Sequence, residues 1–216
     1  MLNHNKISNF KFQISNLGQA QFWHGKLWFA AGLVLLALTE RLWLDLGPNI
    51  ELVTLAALAA TFYLGKKWGI GVALVSLAIS DVVLGNTPIA LFTWSAYTIG
   101  ALGFSILGRF AKTAKNRVVM ASVLGVGFSL WFYIWTNFGV WLTDTWGMYP
   151  HTFAGLITCY VRGLPFLKNQ LLSNLIIVPV GFGLVEGILA LKSALYFELI
   201  HSDNNIIHPL KLRNPV

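Results

Sequence analysis

Asp81 is a carboxylate, and Asn137 and Asn174 are amides, in stretches of sequence that are otherwise almost wholly apolar. Groups of this kind can fix the donors and acceptors of a small solute. Aromatic side chains cluster near them: Trp94 and Tyr97 in one apolar stretch, then Trp135 and Trp141, with Tyr149 and Arg162 further on. Indole faces supply apolar contact and stacking for a ring. Asn137 and Trp141 are four apart, so on a helix they share a face. Arg162 could meet a ligand carboxylate, or could pair with Asp144. The candidate substrate-binding residues are therefore Asp81, Asn137, Trp94, Tyr97, Trp135, Trp141, Tyr149, Arg162 and Asn174. A plainer reading stands beside this one. Trp141, Trp146 and Tyr149 also suit an aromatic belt at a membrane interface, and Asp81 and Asn137 also suit hydrogen bonds between helices.

Other polar residues carry less chemistry. Glu40, Arg41 and Asp45 are spaced to pair with one another near a helix end, a structural role. His151 follows Pro150 in an interfacial turn. Cys159 reads as a small buried hydrophobe. Glu186 can pair with a cytoplasmic-side cation or be protonated, and no second inner carboxylate continues a proton relay from it. No paired carboxylates, His cluster or nucleophile–base set occurs at useful spacing. GxxxxGK[ST], HExxH and GxSxG are all absent, so the chain reads as neither an enzyme nor an ATP-binding protein. A single cysteine excludes an internal disulfide and a cysteine-cluster metal site, and no cofactor is expected.

The elements that must position these residues are membrane helices. Of 216 residues, 56% are hydrophobic and only 11% are charged. A soluble domain of this length cannot bury so much apolar surface, so the bilayer is the solvent for most of it. The fold class expected is an all-α membrane protein, a six-transmembrane-helix bundle. The spans expected are 27–46, 51–64, 68–85, 89–107, 118–142 and 171–191. The second is short, rising about 21 Å against a hydrocarbon core of roughly 30 Å. It must be sheltered by its neighbours or start partway into the membrane. Asp81 stands about 20 Å along the third span and Asn137 about 28 Å along the fifth. Residues 151–169 hold Arg162, Gly163 and Pro165 and read as an extra segment on the outer face between helices 5 and 6; a seventh span is the alternative.

The cations orient the chain. With the N-terminus inside, Lys6, Lys11, Lys26, Lys66, Lys67, Arg109, Lys112, Lys115, Arg117, Lys192, Lys211 and Arg213 fall inside, and Arg41, Arg162 and Lys168 outside. This is a strong positive-inside bias. It accounts for the +7 formal charge without a nucleic-acid partner and points to anionic membrane lipids as neighbours of the basic loops. Residues 1–26 form a cytoplasmic N-terminal segment without a signal-peptide core. Residues 27–194 form the membrane domain, and 195–216 a cytoplasmic tail, polar and poorly ordered from 202 onwards.

The order of features resembles a known group. Gly47-Pro48-Asn49 closes the first helix, and the small-residue run Leu55-Ala56-Ala57-Leu58-Ala59-Ala60 follows. A Gly65-Lys66-Lys67 turn comes next, then a helix ending Ile79-Ser80-Asp81-Val82-Val83-Leu84-Gly85. This pattern is similar to the S-components, the substrate-capturing membrane subunits, of energy-coupling-factor vitamin transporters. Three further segments resemble an uncharacterised bacterial membrane-protein family within that group: Thr136-Asn137-Phe138-Gly139-Val140-Trp141, Met148-Tyr149-Pro150 and Gly155-Leu156-Ile157-Thr158-Cys159-Tyr160. The resemblance spans about 27–194. It implies a bacterial cytoplasmic membrane location and an outward-opening pocket formed by the last three helices and the outer loops. It also implies a transmembrane coupling subunit with cytoplasmic ATPases. S-components often carry an Ala-x-x-x-Ala pair on the first helix, where the coupling subunit docks. Here that helix has Ala30, Ala31 and Gly32, and the spacing occurs instead in Ala56 and Ala60 on the second span. These four alanines are the candidate coupling residues.

Two functions compete. One is uptake of a small, vitamin-like, ring-containing nutrient. The other is a non-transport scaffold or assembly protein of the cell envelope. A cavity of a few hundred cubic ångströms is expected for the first, and side chains filling that space for the second.

Overall fold

A computed structural model describes residues 24–44, 46–47, 49–85, 88–144 and 146–207, with the backbone alone at 196 and 199–207. The N-terminal segment before His24, Asp45, Pro48 and the residues after Ile207 lie outside it. The regular structure within it is helical. We number the helices α1 (His24–Leu44), α2 (Val53–Leu64), α3 (Lys66–Leu84), α4 (Ala90–Gly108), α5 (Ala114–Thr143) and α6 (Phe153–Ile207). Five are long and apolar enough to cross a membrane: α1, α3, α4, α5 and the Phe153–Leu195 part of α6. The chain is a multi-pass helical membrane protein. Its outer surface bears exposed Leu35, Leu91, Val123 and Ile176, as solvation by lipid requires.

The sixth helix in the bundle, α2, is the short one, rising about 18 Å over its 12 residues. It is sheltered: Val53–Thr61 are all buried, and none of its residues is exposed. Alanines at 56, 57, 59 and 60 let neighbouring backbones approach it closely, as packing between membrane helices favours. One residue, Gly65, turns the chain from α2 into α3. Its φ of +107° suits glycine, and its N–H donates to the carbonyls of Ala60 and Thr61. At the opposite end α1 closes in a π-helical turn, Glu40–Leu44. The buried Glu40 carboxylate accepts from the Leu52 N–H at 3.2 Å, so α1 caps the start of α2.

Short links make neighbours antiparallel. The α1–α2, α3–α4 and α5–α6 links therefore meet at one end of the bundle, the Arg41 end. The α2–α3 and α4–α5 links meet at the other, the Lys66 end. Tyr97, Phe104, Phe128 and Phe132 interlock in the core between α4 and α5, with ring centroids 4.8–5.7 Å apart.

The largest departure from expectation is α6. Residues 151–169 do not form a separate segment on an outer face. From Phe153 they are the first part of α6, which runs through Pro165 and Pro179 without a break and packs antiparallel on α5. Arg117 meets Glu186, Ser129 meets Asn174 and Asn137 meets Cys159. The apparent helix breakers have local reasons. A Cβ at Gly163 would collide with the Asn137 amide, so glycine admits α5 at close range. The proline at 165 removes one backbone hydrogen bond, which packed neighbours tolerate in a membrane helix. The helix also continues through Ile207, into the stretch expected to be an unstructured tail.

Candidate functional site

Four helix ends converge at the Arg41 end, and their polar residues form one network. Arg41 is its hub. The guanidinium donates to Ser80 Oγ at 2.8 Å, to Glu51 Oε1 at 3.1 Å and to Asp81 Oδ1 at 3.3 Å. The second oxygen of each carboxylate is held from α4. Trp94 Nε1 donates to Asp81 Oδ2 at 2.8 Å, and the Tyr97 hydroxyl donates to Glu51 Oε2 at 3.1 Å. The Tyr97 oxygen also lies 3.2 Å from Thr54 Oγ1 on α2. Both carboxylates are thus engaged at both oxygens, and their side chains are only 15–19% exposed. Within this cluster two carboxylates face one guanidinium.

The network forms one wall of a cavity of about 440 Å³. Arg41, Glu51 and Asp81 stand on that wall. Asn137 and Thr136 of α5 and Cys159, Arg162 and Phe166 of α6 stand on the other, and Trp146, Met148 and Tyr149 of the connecting loop also line it. Phe132 also borders it. Asn137 is positioned by its own helix, its Nδ2 donating to the Tyr133 carbonyl at 2.8 Å. Arg162 lies over the buried Tyr149 ring, 5.8 Å from its centroid, a cation–π geometry. Its guanidinium has no carboxylate partner among the described residues. Asp144 does not pair with it. That carboxylate turns back to accept from the N–H groups of Met148 and Tyr149 at 2.9 and 3.0 Å, and so shapes the loop that carries Tyr149.

Asp81, Asn137, Tyr149 and Arg162 therefore share one cavity. Trp94 and Tyr97 sit behind it and orient the carboxylates, rather than walling it. Trp135 faces α4, where its Nε1 donates to Ser95 Oγ at 2.9 Å and its ring stacks on Trp131 at 5.4 Å. Trp141 donates to the Pro150 carbonyl at 3.1 Å and meets His151 edge-on. Neither ring lines the cavity. Asn174 lies deeper, buried, with its Nδ2 donating to Ser129 Oγ at 2.8 Å and to the Gly125 carbonyl at 3.3 Å. The sequence reading placed it near a helix start, and the extension of α6 back to Phe153 moves it to mid-helix. Among the alanines, 56 and 60 are fully enclosed and 30 is buried, while 31 is half-buried. Enclosed methyl groups present no face to another subunit.

Arg41, Glu51 and Asn49 also line the cavity, though nothing in their local sequence marks them as site residues. Arg41 and Glu40 were expected to pair locally with Asp45, which lies outside the described residues. A usable signal existed: the end of the first span, the start of the second and the end of the third must meet at one end of an antiparallel bundle, which brings Arg41, Glu51 and Asp81 together.

A second polar cluster closes the Lys66 end. Arg117 grips Glu186 through both Nε and Nη2, the latter at 2.7 Å, and the Tyr63 hydroxyl donates to the same carboxylate at 2.6 Å. Between the two clusters, Gln170 and Ser173 are buried, with side-chain polar atoms that find no hydrogen-bond partner. No group of three or more metal-ligating side chains occurs among the described residues.

Residues 23–195 match DUF6580, a family of unknown function. The chain belongs to that family. The match takes in α1 to α5 and α6 as far as residue 195. Neither the curated proteins nor the solved structures compared with the chain give a match.

Proposed function

We propose that the protein captures a small nutrient in the cavity at the Arg41 end. The observation that carries this is Arg162: a guanidinium lining a 440 Å³ cavity with no carboxylate of its own among the described residues. The volume lies within the roughly 300–1,000 Å³ usual for small-molecule sites. An anionic group on the ligand completes Arg162 as a charge-assisted pair. The Tyr149 and Phe132 rings offer apolar contact to a ring, and the Asn137 side-chain oxygen, which otherwise meets only the weak Cys159 thiol donor, accepts from its donors. A compact ring-bearing carboxylate, vitamin-like in size, satisfies all of these.

The positive-inside rule puts the Lys66 end, with Lys67, Arg109, Lys112 and Lys115, in the cytoplasm of a bacterial inner membrane. The cavity then opens outward and both termini lie inside. Resemblance to S-components supports a role as the binding subunit for uptake, working with a separate coupling subunit and ATPases. The chain itself carries no nucleotide-binding motif.

The test is to purify the protein from cells grown in rich medium and to identify bound small molecules by native mass spectrometry. A single carboxylate-bearing adduct, lost in Arg162→Gln, is expected. A protein that carries no adduct, or one whose adduct survives both Arg162→Gln and Asn137→Ala, would leave a scaffold role ahead.

A further inference from the structure

Among the described residues, the charged side chains that line the cavity are Arg41, Glu51, Asp81 and Arg162. Together they are neutral, two cations against two carboxylates. The charge is not evenly spread. Both carboxylates share the single Arg41 guanidinium, so their wall carries one negative charge in excess. Arg162, on the other wall, forms an ion pair with neither of them. The cavity therefore has two opposed poles with a space between them.

The acidic pole keeps room for a donor. A carboxylate has about four lone-pair sites. Arg41 and Trp94 take one each on Asp81, and Arg41 and Tyr97 one each on Glu51. The remaining sites belong to side chains only 15–19% exposed, where water screens charge weakly.

We infer that the ligand is a zwitterion, with an amine and a carboxylate on opposite sides of one ring. This rests on the capture reading above and adds the amine to it. An ammonium brings three donors to the open lone pairs of Glu51 and Asp81, as charge-assisted bonds, while the carboxylate pairs with Arg162. Charge balance decides against a simple carboxylate. Bound alone, it would leave the occupied cavity with one net negative charge in a site largely shielded from water, which is costly. A zwitterion leaves the cavity neutral. A metal ion at the acidic pole would also restore the balance, but no group of three or more metal-ligating side chains occurs among the described residues.

The test is calorimetry on the purified full chain with three matched probes. Para-aminomethylbenzoate carries both charges, para-toluate only the acid, and para-methylbenzylamine only the amine. The zwitterion should bind more tightly than either of the others by about tenfold or more. Asp81→Asn leaves Arg41 and Glu51 matched one to one, so the fold should persist, and Glu51→Gln makes the same charge change independently. Each should cut affinity for para-aminomethylbenzoate by about tenfold, while para-toluate binds as before or more tightly. Arg162→Gln should weaken both. The inference fails, with the capture reading intact, if para-toluate binds the unaltered protein as tightly as the zwitterion does. It fails in the same way if the molecule co-purified with the protein has an acid group and no basic nitrogen. Para-toluate matching the zwitterion only in added sodium or potassium would put a metal ion at the acidic pole and overturn the inference. No co-purified molecule and no binding of any probe would overturn both readings.

Discussion

Trp94 and Asp81 are bound side chain to side chain across the α3–α4 hairpin, the indole N–H donating to Oδ2 at 2.8 Å while Arg41 holds Oδ1. The bond makes an aromatic residue the orienter of a carboxylate. Asp81→Ala should destabilise the protein by about 1–3 kcal/mol, the cost of stranding buried partners. Trp94→Phe should cost less. The two should not add: a double-mutant cycle on thermal unfolding in detergent should show a coupling of at least about 0.5 kcal/mol. Strict additivity would mean that the bond is absent in solution.

Arg162→Gln and Asn137→Ala should each weaken binding of the co-purified ligand by about ten- to a hundredfold, or roughly 1.4 kcal/mol per decade, in folded protein. Trp135→Phe should leave affinity unchanged, because that indole serves the α4–α5 seam. Calorimetry on the three variants separates the cavity from its aromatic surroundings.

Glu186→Gln should be the more damaging of the charge-neutralising changes at the Lys66 end. It strands Arg117 beside a carboxylate site that is only 9% exposed. Breaking a buried pair by removing one partner costs roughly 3–5 kcal/mol. Since Arg117 is 27% exposed, a loss nearer the lower figure is expected, with part of the stability recovered in the Glu186→Gln, Arg117→Leu double variant.

Gln170 and Asn174 make an internal contrast on α6. Asn174 bridges to α5, and the Gln170 side-chain amide finds no partner. Gln170→Met should be neutral or raise the unfolding temperature. Asn174→Leu should lower stability by about 1 kcal/mol through loss of its two hydrogen bonds to α5, since the Ser129 hydroxyl still donates to the Gly125 carbonyl.

Both termini should report a cytoplasmic location. Reporter fusions after Val216 should be active only for cytoplasmic reporters. Activity of a periplasmic reporter there would reverse the orientation of the cavity.

Much of the bundle is legible in the sequence, because apolar runs separated by short basic or Gly/Pro links leave few arrangements. The length of α2 leaves two arrangements, shelter or a start partway into the membrane, and the burial of Val53–Thr61 shows the shelter. The site is half legible. Asp81 and Asn137 stand out as polar residues in apolar runs. Arg41 and Glu51 hide at helix ends, where charge is ordinary, and only the meeting of four ends gives them a role. The start of α6 misleads for a physical reason. Arg, Gly and Pro within a few residues resemble a loop, yet here one lines the cavity, one admits α5, and one is tolerated by packing. Trp135 and Trp141 mislead because stacking rings serve a helix seam as well as a ligand.

The shortest helix has the furthest reach. Glu51, two residues before α2, belongs to the cavity wall, and Tyr63, at its far end, belongs to the Arg117–Glu186 clasp. With no exposed residue of its own, α2 behaves as an enclosed rod between two sockets. A rod held at both ends cannot slide or tilt for one socket alone. Loosening Glu51 from Arg41 at the cavity is therefore expected to be felt about 18 Å away, near the basic loops, in the Tyr63 grip on Glu186.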